Sequence, residues 1–318
     1  MAYVAGDKIL DDQYNTFVNS SSSPFGYNHF AGTGSGAYGL GRTHIATVTA
    51  GSTTITASQW NTLLTGIDTI ANHTNDSMTA RTSVAAGDTI AIKSAVEADL
   101  ATLAASVEGG STSATALDTN AVGTSTNGGT WNSTSTIRRS VTFANADKMR
   151  HFFNAGGKIR VDPATSGSVT GDKDTVFEQL TAAFGNLDIG SKTSTRSGSG
   201  ETLTTNNLSL GFHDLTTSYQ TILKLTSDNS GYTSNTVEVK AKLDAAVGTA
   251  VTITVEMLTT DAADDDTYTS PNTSGVPSNP NEAPAMQLNL IEVFPTDGQG
   301  LAAAIQSSSN AEVTNSAS

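Results

Sequence analysis

Four aspartates, Asp261, Asp264, Asp265 and Asp266, crowd into "DAADDDTY", the densest set of potential metal ligands in the chain. Grouped carboxylates can hold calcium, but this loop lacks the spacing, the central glycine and the closing glutamate of a calcium-binding hand. It reads as a solvated acidic loop, with a calcium loop as the alternative. The five histidines, His29, His44, His73, His151 and His213, share no metal-ligand spacing. "GTGSGAYGLGR" contains G-x-G-x-x-G at Gly34, Gly36 and Gly39, but a strand-like stretch follows it where a dinucleotide site needs a helix. It reads as a glycine loop, with Tyr27, Phe30 and Tyr38 packing against a neighbour. Sugar hydrolysis would need two carboxyls at a set separation. Glu201, Asp214, Glu238 and Asp244 are available, and nothing in their spacing pairs them. No G-x-S-x-G elbow occurs. The expectation is a non-enzymatic chain without cofactor.

The composition points the same way. Charged residues make up 14% of the 318 positions, against roughly 25% in an average globular protein. Ser, Thr, Asn and Gly supply the surface instead. The net charge of −14 argues against a nucleic-acid partner, which needs a basic face. Arg138-Arg139 is the only basic doublet, and it is expected in a surface salt bridge. There is no cysteine, hence no disulfide or thiolate chemistry. No run of 18 apolar residues is present, so no membrane insertion is expected. No basic-then-apolar leader is visible either.

The elements that must carry any site begin with a repeat. "ILDDQYNTFVN" from Ile9 and "ITASQWNTLLTGI" from Ile55 align at one constant offset, matching Ile9/Ile55, Gln13/Gln59, Tyr14/Trp60, Asn15/Asn61 and Thr16/Thr62. In the second copy Trp60, Leu63, Leu64, Ile67, Ile70 and Ala71 form a helical stripe, with Ser58 or Thr56 as cap. In the first, Tyr14, Phe17 and Val18 share a face. A third short helix is expected in "VTFANADKMRHFFNAGGKIRV", with Met149, Phe152 and Phe153 inward and Gly156-Gly157 as its stop. Helices are also expected along Ile92, Val96, Leu100, Leu103 and Val107, and over 174–186. Short amphipathic helices cannot bury their stripes alone. Tyr14, Phe17, Trp60, Leu63, Leu64, Ile67, Met149, Phe152 and Phe153 are therefore the expected anchors, in a core or across a subunit contact.

Later the period changes. "TVEVKAKL" and "VTITVEML" alternate apolar and polar residues, the pattern of antiparallel strands with one wet face. "LSLGFHDL", "YQTILKLTS" and "MQLNLIEVF" are read as three more strands. The expected fold is α+β, mostly β: short amphipathic helices and strands first, then an antiparallel β-sandwich. Five segments follow: an N-terminal docking region with two helix repeats over 1–80; a helix plus Ser/Thr/Gly-rich linker over 81–135; an α/β segment over 136–192; the sandwich over 193–300; and a small polar tail over 301–318.

The blocks "YNTFV…GTGSGAYGLGR", "ITASQWNTLLTGIDTIANHT" and "VTFANADKMRHFFNAGGKIRV" resemble segments of structural virion proteins of tailed phages, especially those infecting cyanobacteria. "GYTSNTVEVKAKLD" with "TAVTITVEML" is similar to their terminal β-domain. The resemblance implies a neck, collar, fibre or tail-associated component of a phage particle, made in the host bacterial cytoplasm, with no catalytic residues. Its partners would be copies of itself and other virion proteins. An alternative is that the sandwich binds host-surface glycan through Tyr219, Tyr232 and Tyr268.

Overall fold

The computed structural model describes residues 11–23, 25–31, 39–40, 42–49, 55–74, 76–88, 93–109, 117–127, 131–167, 171–262, 283–295 and 308–317. The fold is α+β, with two antiparallel sheets. The chain divides into two compact units, each assembled from separated stretches. One comprises residues 1–118, 150–156 and 294–304, the other 119–149, 157–293 and 305–318. These units cut across the five segments expected from the sequence. The helix of the second segment joins the first unit, while most of 136–192 shares a unit with most of 193–300.

The first unit is helical. Helices α1 (Asp11–Asn19), α2 (Tyr27–Ala31), α3 (Ala57–Thr74) and α4 (Lys93–Gly109) surround one apolar core. Its centre is aromatic, with Tyr14, Phe17, Phe30 and Trp60 at 0–1% exposure. Helix α2 lies where a packing loop was expected. Gly26 permits it, because a Cβ there would strike the backbone of Val18 and Asn19. Tyr38, Gly34, Gly36 and Ile92 lie outside the described residues. Residues 42–49, in a stretch expected to be strand-like, belong to no sheet.

The second unit carries the sheets. Its strands are β1 (Leu117–Thr126), β2 (Ser133–Thr142), β3 (Lys158–Ser166), β4 (Leu187–Ile189), β5 (Ser194–Arg196), β6 (Thr202–Asn206), β7 (Gln220–Thr226), β8 (Thr236–Leu243), β9 (Thr252–Thr260), β10 (Ala285–Pro295) and β11 (Ser308–Ala317), with α6 (Asp172–Phe184) among them; α5 (Ala146–Asn154) begins in this unit and ends, from Arg150, in the first. The five-stranded sheet runs β1-β10-β3-β4-β5 and the six-stranded sheet β11-β2-β9-β8-β7-β6. Helix α6 packs on β3 of one sheet and on β7 and β8 of the other. It buries Phe177, Leu180 and Phe184.

Three expectations change. The Ser/Thr/Gly-rich linker expected within 81–135 contains β1 and the start of β2; β1 reads LDTNAVGTST, with no apolar alternation to announce it. The 301–318 tail contains β11, which pairs along the whole of β2 from Ser308↔Thr142 to Ala317↔Ser133. "LSLGFHDL" is not a strand but a turn closed by a single 3-10 coil over Phe212–Asp214. The Asp214 carboxylate there accepts the Gly211 N–H at 3.0 Å, and this local bond competes successfully with extended backbone.

Candidate functional site

The repeated motif resolves into one device built twice. Asn15 Nδ2 donates to the Val48 carbonyl at 2.9 Å, and Asn15 Oδ1 accepts the Val48 N–H at 2.8 Å. Asn61 does the same to Val84, at 2.9 and 3.0 Å. A side-chain amide carries the same donor and acceptor as a peptide group. Each asparagine therefore bonds a peptide group as a neighbouring strand would and pins a non-helical segment onto a helix. Asn28 on α2 makes a third such clamp on Ile45, at 2.9 and 2.8 Å.

Two other repeated pairs, Tyr14/Trp60 and Thr16/Thr62, also keep one role each. Tyr14 and Trp60 are buried core aromatics. Trp60 meets Phe17 with ring centroids 6.1 Å apart, and the Tyr14 hydroxyl donates to the Gln59 carbonyl at 3.5 Å. Thr16 and Thr62 each return a hydroxyl to the carbonyl four residues back, both at 2.8 Å. Gln59 closes a capping box with Thr56: its Oε1 accepts the Thr56 N–H at 2.9 Å, and Thr56 Oγ1 accepts the Gln59 N–H at 3.2 Å. Thr56, not Ser58, is thus the cap of α3.

The clamped segments repeat as well. Val48-Thr49-Ala50-Gly51-Ser52-Thr53 and Val84-Ala85-Ala86-Gly87-Asp88-Thr89 are one pattern, V-x-A-G-[SD]-T. Each leads into a helix, so α4 is a third copy. Its buried Val96, Leu100, Leu103 and Val107 occupy the places of Trp60, Leu64, Ile67 and Ala71. Glu97 replaces the clamping asparagine. This third copy was legible as V-x-A-G before a helix, but its helix had lost the Q-[YW]-N-T signature.

The anchors fall in two groups. Tyr14, Phe17, Trp60, Leu63, Leu64 and Ile67 are all buried in the core of the first unit. Met149, Phe152 and Phe153 are buried too, and the Phe152 and Phe153 rings meet edge to face at 5.1 Å. Following that helix, buried His73 Nε2 lies 3.1 Å from the Ala155 carbonyl, and Asn154 Nδ2 donates to the Gly39 carbonyl at 3.2 Å. An open groove of about 950 Å³ runs between the Arg42–Ile45 segment and the Ser58, Thr62, Thr65 and Thr69 face of α3. Tyr27 lines it; burial raises the pKa of its phenol, partly offset by the charge and hydrogen bond of Arg42.

In the second unit the expected acidic residues have structural work. Asp261 is not in a solvated position: it is fully buried in an ion pair with Lys173 Nζ, at 2.9 Å from Oδ1. Asp264, Asp265 and Asp266 lie outside the described residues, among which no group of three or more His, Asp or Glu could hold a metal. Glu201 accepts the Asp228 N–H at 2.8 Å, Asp244 accepts the Val251 and Thr252 N–H groups at 3.0 and 2.9 Å, and Glu238 accepts the Thr221 hydroxyl. Each carboxylate closes its own turn or ladder, and no hydrogen bond or ion pair joins one of the four to another.

The arginine doublet is split by strand alternation. Arg138 reaches the polar face and pairs at 2.7 Å with Glu256, which is buried rather than at the surface, and Lys240 stands 3.5 Å from the same carboxylate. Arg139 turns inward and donates to the Ser125 hydroxyl of β1 at 2.7 Å; burial lowers its pKa. Tyr219 is half-buried, with Lys242 Nζ 4.6 Å and the Arg138 guanidinium 5.6 Å from its ring centre. Tyr232 is 6% exposed, and Tyr268 lies outside the described residues.

Comparison with protein-family models, curated proteins and solved structures finds no match for this chain.

Proposed function

We propose that the chain is a non-enzymatic structural component of a tailed-phage particle, in a neck, collar, fibre or tail-associated position. In this reading it assembles with copies of itself and docks on other virion proteins. The observation that carries the reading is convergence. Three of the blocks that resemble phage virion proteins, the third through its residues 150–156, meet through named contacts in the first unit: Tyr14 with Gln59, Phe17 with Trp60, His73 with Ala155, and Asn154 with Gly39. Blocks that a family shares because they build one module should meet in space. The clamped, hydroxyl-rich repeats also suit a scaffold whose elements are defined by packing and backbone pairing rather than by a reactive centre.

The test is location and assembly. Purified full chain should form a defined homo-oligomer by size-exclusion with light scattering, and an antibody to it should label intact particles. A strictly monomeric chain that is also absent from purified particles would overturn the reading.

A further inference from the structure

Lys173 and Asp261 occupy an unusual position for two opposite charges. Their side chains are 4% and 0% exposed. Lys173 Nζ lies 2.9 Å from Asp261 Oδ1 and 3.1 Å from Oδ2, so it touches both oxygens flanking the carboxyl carbon. The pair is drawn from distant parts of the chain: Lys173 from the first turn of α6, Asp261 from the residue that follows β9. Aromatic residues pack along this helix, with Trp131 and Phe177 rings 5.3 Å apart.

Two forces act against the charged form here. Burial penalises the ammonium and the carboxylate together. The first turn of a helix also carries the positive end of its dipole, which repels a cation such as Lys173. Both penalties disappear if the pair becomes neutral.

We propose that Lys173 and Asp261 join in a spontaneous intramolecular isopeptide bond, tying α6 to the end of β9. The atoms balance without a cofactor. A proton passes from the ammonium to the carboxylate across the existing contact, leaving a free amine and a carboxylic acid. Nζ attacks Cγ, the Nζ–Cγ bond forms and one Cγ–O bond breaks; the departing hydroxyl takes one of the amine's two protons and leaves as water, and the other proton stays as the amide N–H. The fold supplies the proximity that makes such a condensation effectively unimolecular. The product is a neutral amide, which a buried site tolerates better than separated charges. For a particle component the bond would be a permanent cross-link across the layers of the unit.

The experiment is intact-mass spectrometry of the purified full chain under denaturing conditions. The expected mass is about 18 Da below the sequence value, one water. Tryptic mapping should then find a branched peptide joining the Lys173 and Asp261 segments, with no cleavage after Lys173. Lys173→Arg and Asp261→Ala should each restore the full mass. The wild-type digest decides the matter even if both variants fail to fold. A wild-type chain at full sequence mass, with the two segments recovered separately, overturns the proposal. So does a loss of water that maps to any other residue.

Discussion

At the scale of single residues, Trp60 and Asn61 divide the work of the repeat. Trp60 is wholly inside the first unit, so Trp60→Ala should cost about 3–5 kcal/mol and lower the melting temperature of the chain itself. Tyr14→Ala should do likewise. Asn61→Ala removes both bonds to Val84 and leaves that peptide group without its partner, at roughly 1–3 kcal/mol. Asn61→Asp should rescue only the acceptor half. Urea denaturation compares the four variants with wild type; an Asn61→Ala midpoint equal to wild type would show that the clamp is incidental.

Glu201 gives a pH signature. Burial raises its pKa, and the Asp228 charge adds to this while the Asp228 N–H opposes it. The folded state therefore holds that proton more tightly than the unfolded chain. Stability is lost as pH rises from the unfolded value of about 4.3 through the folded one, and stays lost at neutral pH. Glu201→Gln should flatten this part of the melting-temperature profile and raise the melting temperature at pH 7. A variant whose profile overlays wild type between about pH 4 and 7 would contradict the assignment.

At the scale of elements, β1 and β2 are joined by a close approach. Gly123 has φ +141°, and a Cβ there would collide with the Arg139 guanidinium. Gly123→Ala should thus destabilise twice over, through backbone strain and by displacing a buried charge from Ser125. Thermal unfolding should show a larger loss than at Gly87→Ala, where φ is also positive but the space is open. Equal losses would mean that the contact with Arg139 carries nothing. In the first unit, Gly66 lies under the Tyr27 ring, whose Cε2 would be 2.6 Å from a Cβ. Gly66 therefore sets how near α2 approaches α3.

At the scale of the whole molecule, the six-stranded sheet has β11 along one margin and β6 along the other. Removing Ser308–Ala317 would strip β2 of its partner from Thr142 to Ser133. An unpaired strand edge is a template for another chain. The truncated protein should self-associate irregularly, read as rising light scattering during concentration, whereas the full chain gives a defined size. A truncated chain with unchanged scattering would mean that β11 is not needed to cover β2. On the polar face of this sheet Arg138, Glu256 and Lys240 stand in register across β2, β9 and β8. Their alternating signs favour this register over a slipped one.

What the sequence determined alone is the set of elements with a strong period: α1, α3, α4, α5, α6 and the alternating strands β7, β8, β9 and β10. The inward faces followed, because a stripe at 3.6 or 2 residues names its buried side. It also marked Asn15 and Asn61 as a pair by repetition, without saying what they hold. Tertiary structure decided the rest, and the reasons are physical. An amide clamp needs a partner peptide far along the chain, and no local pattern names Val48 or Val84. The strands β1 and β11 have almost no apolar side to reveal them, so only their partners make them strands. Arg139 and Asp261 look like surface charges in any reading by residue type. The fold buries them, because sheet alternation turns one inward and the end of β9 brings the other onto Lys173 of α6.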